Sequence, residues 1–162
     1  MIILGLDPGT TAIGYALIED GRAPRLHEAG LLPIRSPHPG ERLAELYRSL
    51  NALVKKWRPR TAAVERLFFA KNAKTAMAVA EARGALLLTA VLAGIIVYEY
   101  TPAEIKKAIT GTGTADKAQV KKMVCLILPE AKELRGRDDV FDAIAAALAC
   151  HFKLKGRLYQ TG

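Results

Sequence analysis

Three apolar runs fall within the first 34 residues, and the segments joining them are too short to be anything but turns. Residues 2–6 run into Asp7-Pro8-Gly9-Thr10, residues 13–19 are followed by the tight-turn pair Asp20-Gly21, and residues 26–34 form the third run. Parallel strands need a crossover of about a dozen residues or more, so this spacing confines the start of the chain to an antiparallel meander. The period then changes. Leu43, Leu46, Tyr47, Leu50, Leu53, Val54 and Trp57 recur at intervals of three and four, which predicts a helix stopped by Pro59. A short buried strand over 61–64 leads into Glu65, a long helix follows over 71–94, and a fifth strand is expected over 95–100. Helices are expected over 102–109, with Thr101 as its cap, over 115–128 ahead of Pro129, and over 138–152. Strands and helices in this order describe an α/β protein with a mixed sheet. Residues 1–152 form one domain, and residues 153–162 read as a basic, flexible tail.

A chain of 162 residues is long enough for one real core. Its charge narrows the choice of partner. A net charge of +8 points to a polyanion, with nucleic acid first and an anionic membrane surface second. The longest uncharged stretch, residues 84–98, is short for a membrane span and is interrupted by Gly94. No positive segment precedes the first apolar run, so a secretory signal is not expected. Cys125 and Cys150 lie in apolar helical segments and read as free thiols in a reducing cytoplasm.

The carboxylates carry the chemistry. Asp7 stands at the end of a strand that should be central, where an aspartate is equally at home as a turn residue. Glu65 follows Thr-Ala-Ala-Val and precedes Leu67-Phe68-Phe69. A carboxylate between apolar runs needs a compensating partner, and an ion pair to Arg66 or a nearby lysine is the ordinary structural explanation. Asp138, Asp139 and Asp142 open the last helix. Asp139 and Asp142 share one face of it, and acidic residues there also favour the helix dipole. If Asp7, Glu65, Asp139 and Asp142 converge, they cannot all stay ionised without cations. Hard oxygen ligands select Mg²⁺ or Mn²⁺, and two such ions suit phosphodiester hydrolysis. The residues alone therefore lead to a nuclease or another phosphoryl-transfer enzyme.

Five segments carry a resemblance. Ile3-Leu4-Gly5-Leu6-Asp7-Pro8-Gly9-Thr10 with Gly14-Tyr15 is similar to the opening of the RuvC family of Holliday-junction resolvases. So are Ala63-Val64-Glu65-Arg66-Leu67-Phe68 with Ala70-Lys71-Asn72, and Ala82-Arg83-Gly84. Thr110-Gly111-Thr112-Gly113 with Lys117-Ala118-Gln119-Val120, and Asp139-Val140-Phe141-Asp142-Ala143, complete the set. They occur in order from about residue 3 to residue 150, and it is the order that makes them specific. The resemblance implies a ribonuclease-H-like fold, a five-stranded mixed sheet flanked by helices. It implies that Asp7, Glu65, Asp139 and Asp142 are catalytic and ligate two Mg²⁺ ions, with Mn²⁺ able to substitute. It further implies a homodimer that places paired, symmetric nicks in four-way junction DNA during recombination and repair, alongside the branch-migration proteins RuvA and RuvB.

For DNA binding the resemblance points to Phe68 as a stacking wedge, with Phe69 beside it, and to Lys106 and Lys117 near the scissile phosphate. Arg66 and Lys71 are candidates for further phosphate contacts and Asn72 for a base contact, with a solvated surface position the ordinary alternative for each basic residue taken singly. Asp138 competes with Asp139 for the same face, and Lys107 lies one step from Lys106. The apolar residues 85–93 suit either a dimer interface or a fully covered core helix.

Three alternatives have distinct signatures. An actin-like ATPase would share the Asp-Pro-Gly-Thr loop but needs two related domains. A related ribonuclease-H-like nuclease would act on other branched DNA or on RNA. A non-catalytic junction-binding protein would need the positive charge but not the carboxylates.

Overall fold

A computed structural model describes residues 1–9, 12–66, 73–134 and 138–158, with residues 73–75 and 157–158 described by their backbone alone. The meander is present as strands β1 (Ile2–Pro8), β2 (Ile13–Glu19) and β3 (Arg25–Leu31). Helix α1 (Pro39–Trp57), strand β4 (Thr61–Glu65), helix α2 (Ala73–Leu92) and strand β5 (Ile96–Tyr100) follow. The chain continues through α3 (Pro102–Thr110), α4 (Lys117–Ile127), a 3₁₀ turn (Pro129–Glu133) and α5 (Asp138–Leu158). The five strands form one sheet in the order β3-β2-β1-β4-β5. β1 pairs antiparallel with β2 and parallel with β4, and β5 is parallel to β4, so the sheet is mixed with β1 at its centre.

Strand alternation sorts the chain into two cores. Ile3, Ala16, Ile18, Ala63 and Tyr100 face α3, α4 and α5. Leu4, Leu6, Leu17, Ala62 and Val64 face α1 and α2, meeting Leu46, Leu50, Leu86 and Ala90. The layer of α5 is set by two glycines. A Cβ at Gly5 would fall on the carbonyl oxygen of Ala143 and lie 2.9 Å from the Ala147 Cβ, and a Cβ at Gly14 would fall on the carbonyl oxygen of Asp139. Asp139, Ala143 and Ala147 are spaced by four, so one edge of α5 runs across β1 and β2 with backbone against backbone.

Several boundaries differ from expectation. β3 stops at Leu31 rather than residue 34, because the chain turns at Pro33, where the Ile34 N–H donates to the Leu32 carbonyl oxygen at 2.9 Å. α5 continues to Leu158, so residues 153–158 belong to the last helix rather than to a tail, while 159–162 lie outside the described residues. α2 is not covered on all sides: Leu86 and Ala90 are buried, but Leu88, Val91 and Leu92 are 60%, 62% and 75% exposed in the single chain. Cys150 is buried, Cys125 is half-buried, and both are free thiols.

Gly5→Ala should lower the unfolding free energy by about 3 kcal/mol, the upper end of overpacking costs, because the obstacle is a helix backbone that cannot step aside. Urea denaturation measures this, and an unchanged midpoint would mean that α5 is not seated on β1 as described.

Candidate active site

The parallel register of β1 and β4 sets Leu6 beside Val64 and therefore Asp7 beside Glu65. Both are odd-numbered positions on the α5 side of the sheet. Two carboxylates thus stand side by side at the carboxyl ends of neighbouring parallel strands. α5, held down by Gly5 and Gly14, brings Asp142 over them. Asp7, Glu65 and Asp142 line one cavity of about 280 Å³ together with Lys106, Lys117, Pro102, Ile105, Val120 and Ala145.

The two lysines come from helices whose starts are fixed by reciprocal caps. At α3 the Thr101 hydroxyl accepts from the Glu104 N–H at 3.2 Å, and Glu104 Oε2 accepts from the Thr101 N–H at 2.8 Å. At α4 Asp116 Oδ1 accepts from the Gln119 N–H at 2.8 Å, and Gln119 Oε1 accepts from the Asp116 N–H at 2.9 Å. Lys117 is the first residue of that helix. Its Nζ lies 3.3 Å from Asp142 Oδ2 and 3.5 Å from Asp138 Oδ2. Of the adjacent lysines on α3, Lys106 faces the carboxylates, while Lys107 lines a separate cavity with Tyr100, Glu104 and Lys153.

Burial pushes the Asp7 carboxyl up to about 8, and the charges of Asp142, Glu65 and Asp139 add to this while Lys117 offsets only part of it. Glu65 is raised by burial and by Asp142, against Lys117 and Lys106. Asp142 is also raised, chiefly by burial, despite its contact with Lys117. Partial burial works against the Lys117 charge, but Asp142 and Asp138 outweigh it and hold its pKa above the usual lysine value. The pocket is therefore short of positive charge, although two lysines face it.

Asp139 stands at the rim rather than in the pocket lining. Its Oδ1 lies near Gly9, 3.7 Å from where a Cβ on that glycine would be, and its charge is felt at Asp7 and Asp142. Asp138 is turned outward, with its side chain 69% exposed and paired to Lys117. Arg66 is not the counter-ion of Glu65. It falls on the opposite face of the sheet, with Nε 3.7 Å from Glu99 Oε2, and Arg83 Nη2 reaches the same oxygen at 2.8 Å. The Arg83–Glu99 pair has no place in the sequence-based site, although Arg83 lies within one of the segments that carry the resemblance. Phe68, Phe69, Lys71 and Asn72 lie outside the described residues.

The donor set fits a hard divalent cation in kind and charge, since all its donors are carboxylate oxygens and burial leaves them under-neutralised. It is not a closed cage, because among the described residues no three acidic, histidine or cysteine side chains are close enough to hold an ion as they stand. A second cavity of about 210 Å³ on the other face, lined by Ile13, Ile34, Leu43 and Leu46 with Arg42 and Glu81, has no comparable carboxylate cluster.

The family model described as crossover junction endodeoxyribonuclease RuvC matches residues 3–151. A protein of that name from Chloroflexus aggregans is 48% identical over 154 residues, covering 93% of this chain and 92% of its own length. One from Moorella thermoacetica is 47% identical, covering 93% and 90%. Among solved structures, Thermus thermophilus RuvC in complex with Holliday junction substrate superposes with a TM-score of 0.88 at 33% identity, covering 97% of this chain and 96% of the other. The yeast mitochondrial resolvase Ydc2, at 15% identity and a TM-score of 0.67, shares the fold.

The raised Asp7 pKa gives the metal-free protein a definite pH dependence. The folded chain keeps the Asp7 proton up to about pH 8, whereas an unfolded chain loses it near the ordinary value of 3.8. The native state binds more protons across that window, so stability falls as pH rises through it. In chelator, Asp7→Asn should raise the melting temperature more at pH 8.5 than at pH 5. Equal effects at both pH values in scanning calorimetry would show that Asp7 is not the strained group.

Proposed function

The chain belongs to the RuvC family of crossover junction endodeoxyribonucleases, and on that premise we propose that it resolves four-way DNA junctions as a homodimer, by metal-dependent hydrolysis at the Asp7–Glu65–Asp142 pocket. The single observation that carries the site assignment is the buried acidic pocket itself: three converging carboxylates, two of them on neighbouring strand ends, with Lys106 and Lys117 on its wall. A surface built only to bind DNA gains nothing from such a cluster, since phosphates call for positive charge.

We assign Asp7, Glu65 and Asp142, with Asp139 at the rim, to holding two Mg²⁺ ions, for which Mn²⁺ would substitute. Divalent cations bound there supply the Lewis acidity and charge neutralisation that in-line displacement at phosphorus needs. The rest falls to the chain's own side chains. Lys106 and Lys117, facing the pocket from separate capped helices, would take the non-bridging phosphate oxygens and so fix the scissile group over the carboxylates. The Ile105, Val120 and Ala145 side chains form the apolar part of the cavity wall. Phe68, Phe69, Lys71 and Asn72 remain assigned to junction contact from the sequence and the family resemblance, and RuvA and RuvB as partners likewise. A junction substrate places the work beside the bacterial chromosome, in the cytoplasm.

The dimer reading rests on α2. Met77, Leu88, Val91 and Leu92 are large, apolar and exposed, and their spacing of 11, 3 and 1 puts them along one face of the helix. An isologous interface there would relate two active sites by a twofold axis, which suits a near-twofold substrate.

Two measurements test this. On a labelled four-way junction with Mg²⁺ the protein should place paired, symmetric nicks and spare linear duplex. Glu65→Gln or Asp142→Asn should cut the rate by more than about 100-fold, beyond what loss of an outer-sphere partner costs, while leaving junction binding intact. Binding without cleavage in any divalent metal would instead support a junction-binding protein. Separately, Leu88→Glu combined with Leu92→Glu should weaken the dimer by about 100-fold or more in analytical ultracentrifugation and uncouple the two nicks. A dimer that survives this change must use another face.

A further inference from the structure

The strand that delivers Glu65 to the pocket delivers Arg66 to the other face of the sheet one residue later. There Glu99, opposite Val64 in the β4–β5 register, meets two arginines that differ sharply. Arg83 is close and largely enclosed, at 2.8 Å with its side chain 19% exposed. Arg66 is loose and open, at 3.7 Å and 55% exposed. The Arg66 distance is beyond hydrogen-bond range, so its attraction to Glu99 is charge alone. Arg83 has its Nε buried with no hydrogen-bond partner among the described residues, which leaves it dependent on Glu99. Glu99 is therefore neutralised from within the fold whether or not Arg66 stays. Glu104, at the start of α3, also feels the Arg66 charge, after the hydrogen bonds of its Thr101 cap and the charge of Lys153.

We propose that Glu99 is a positioning residue that holds Arg66 in reserve at the end of β4, on the face of the sheet opposite the acidic pocket, and that Arg66 leaves it for a backbone phosphate when DNA is bound. Arg83 is the fixed counter-ion that makes the exchange possible. Without it, departure of Arg66 would strand the Glu99 charge against the α2 face, and Arg66 would be locked in a structural pair. This inference rests on the reading of the chain as a DNA-processing enzyme in which Arg66 meets substrate. It adds that the contact is made against an internal competitor, which lowers affinity for any single phosphate and favours substrates that engage many at once.

The test is a mutant cycle on binding of a labelled four-way junction without divalent metal, read as Kd over a range of salt concentrations. Glu99→Gln should tighten binding by about 1.5- to 5-fold, the range an exposed ion pair commands. Arg66→Ala should weaken binding and make the dependence of log K on log salt shallower by about one unit. In the Arg66→Ala background, Glu99→Gln should then change nothing. A gain that persists there would come from net charge at a distance and overturns the proposal, as does a Glu99→Gln protein that binds like the parent. Should Arg66→Ala bind and respond to salt like the parent, the DNA-contact reading of Arg66 fails first and the proposal with it. Because Glu99→Gln strands the Arg83 charge, the double variant Arg83→Met/Glu99→Gln is the companion. It removes the enclosed pair together and should show the same tightening, whereas parental affinity in that variant also overturns the proposal.

Discussion

The backbone contact between α5 and the two central strands is what the site depends on. Ridges of side chains normally keep a helix about 10 Å from a sheet. Here Gly5 and Gly14 remove the side chains on one surface, and Ala143 and Ala147 reduce them on the other. The helix drops onto the strands, and the carboxylates of its first turns come within reach of Asp7 and Glu65. A helix one methyl group higher would leave Asp142 above the pocket rather than in it. The same two glycines thus serve packing and chemistry, and the alanine-rich stretch of α5 is a docking edge rather than a featureless helix filler.

Such packing leaves like charges close together in a partly dry place. Burial and mutual repulsion raise Asp7, Glu65 and Asp142 together, and Lys117 counters only part of the effect. The fold tolerates this because the cost is local, while the two cores on either side of the sheet are apolar and well filled. A carboxylate cluster held apart from its own neutralisation attracts hard cations. Lys117 divides its charge between Asp142 in the pocket and Asp138 outside it. Asp138 is therefore better described as an anchor for the lysine than as a fifth member of the acidic set.

Much of this was legible in the sequence, for reasons that can be named. The shortness of the turns between the first three runs leaves only an antiparallel meander for β1, β2 and β3. Alternation along β1 and β4 put Asp7 and Glu65 on one face once their strands were neighbours, and Thr101 and Pro102 announced α3. Where sequence reasoning fell short, the information lay in contacts distant along the chain. Nothing local separates Lys106 from Lys107, because which of them faces the carboxylates depends on how α3 sits against α5. The apolar run in α2 reads the same whether its outer face is covered or bare. Glu99 drew no attention within Ile-Val-Tyr-Glu-Tyr, since its meaning comes from Arg83, 16 positions earlier and on another element.

Parity along β4 does more than place Glu65. A basic residue next to a metal-binding carboxylate would ordinarily neutralise it and compete with the cation. In an extended strand adjacent side chains point to opposite faces, so Glu65 and Arg66 can be neighbours in sequence without being partners. Glu65 joins the acidic pocket, and Arg66 finds Glu99 behind the sheet. Acid for metal and base for phosphate therefore sit back to back at one strand end, each with its own counter-charges. A strand end can hold that separation where a helix cannot. On a helix, consecutive residues are only about 100° apart, and a guanidinium with three methylenes of reach would fold back onto the neighbouring carboxylate.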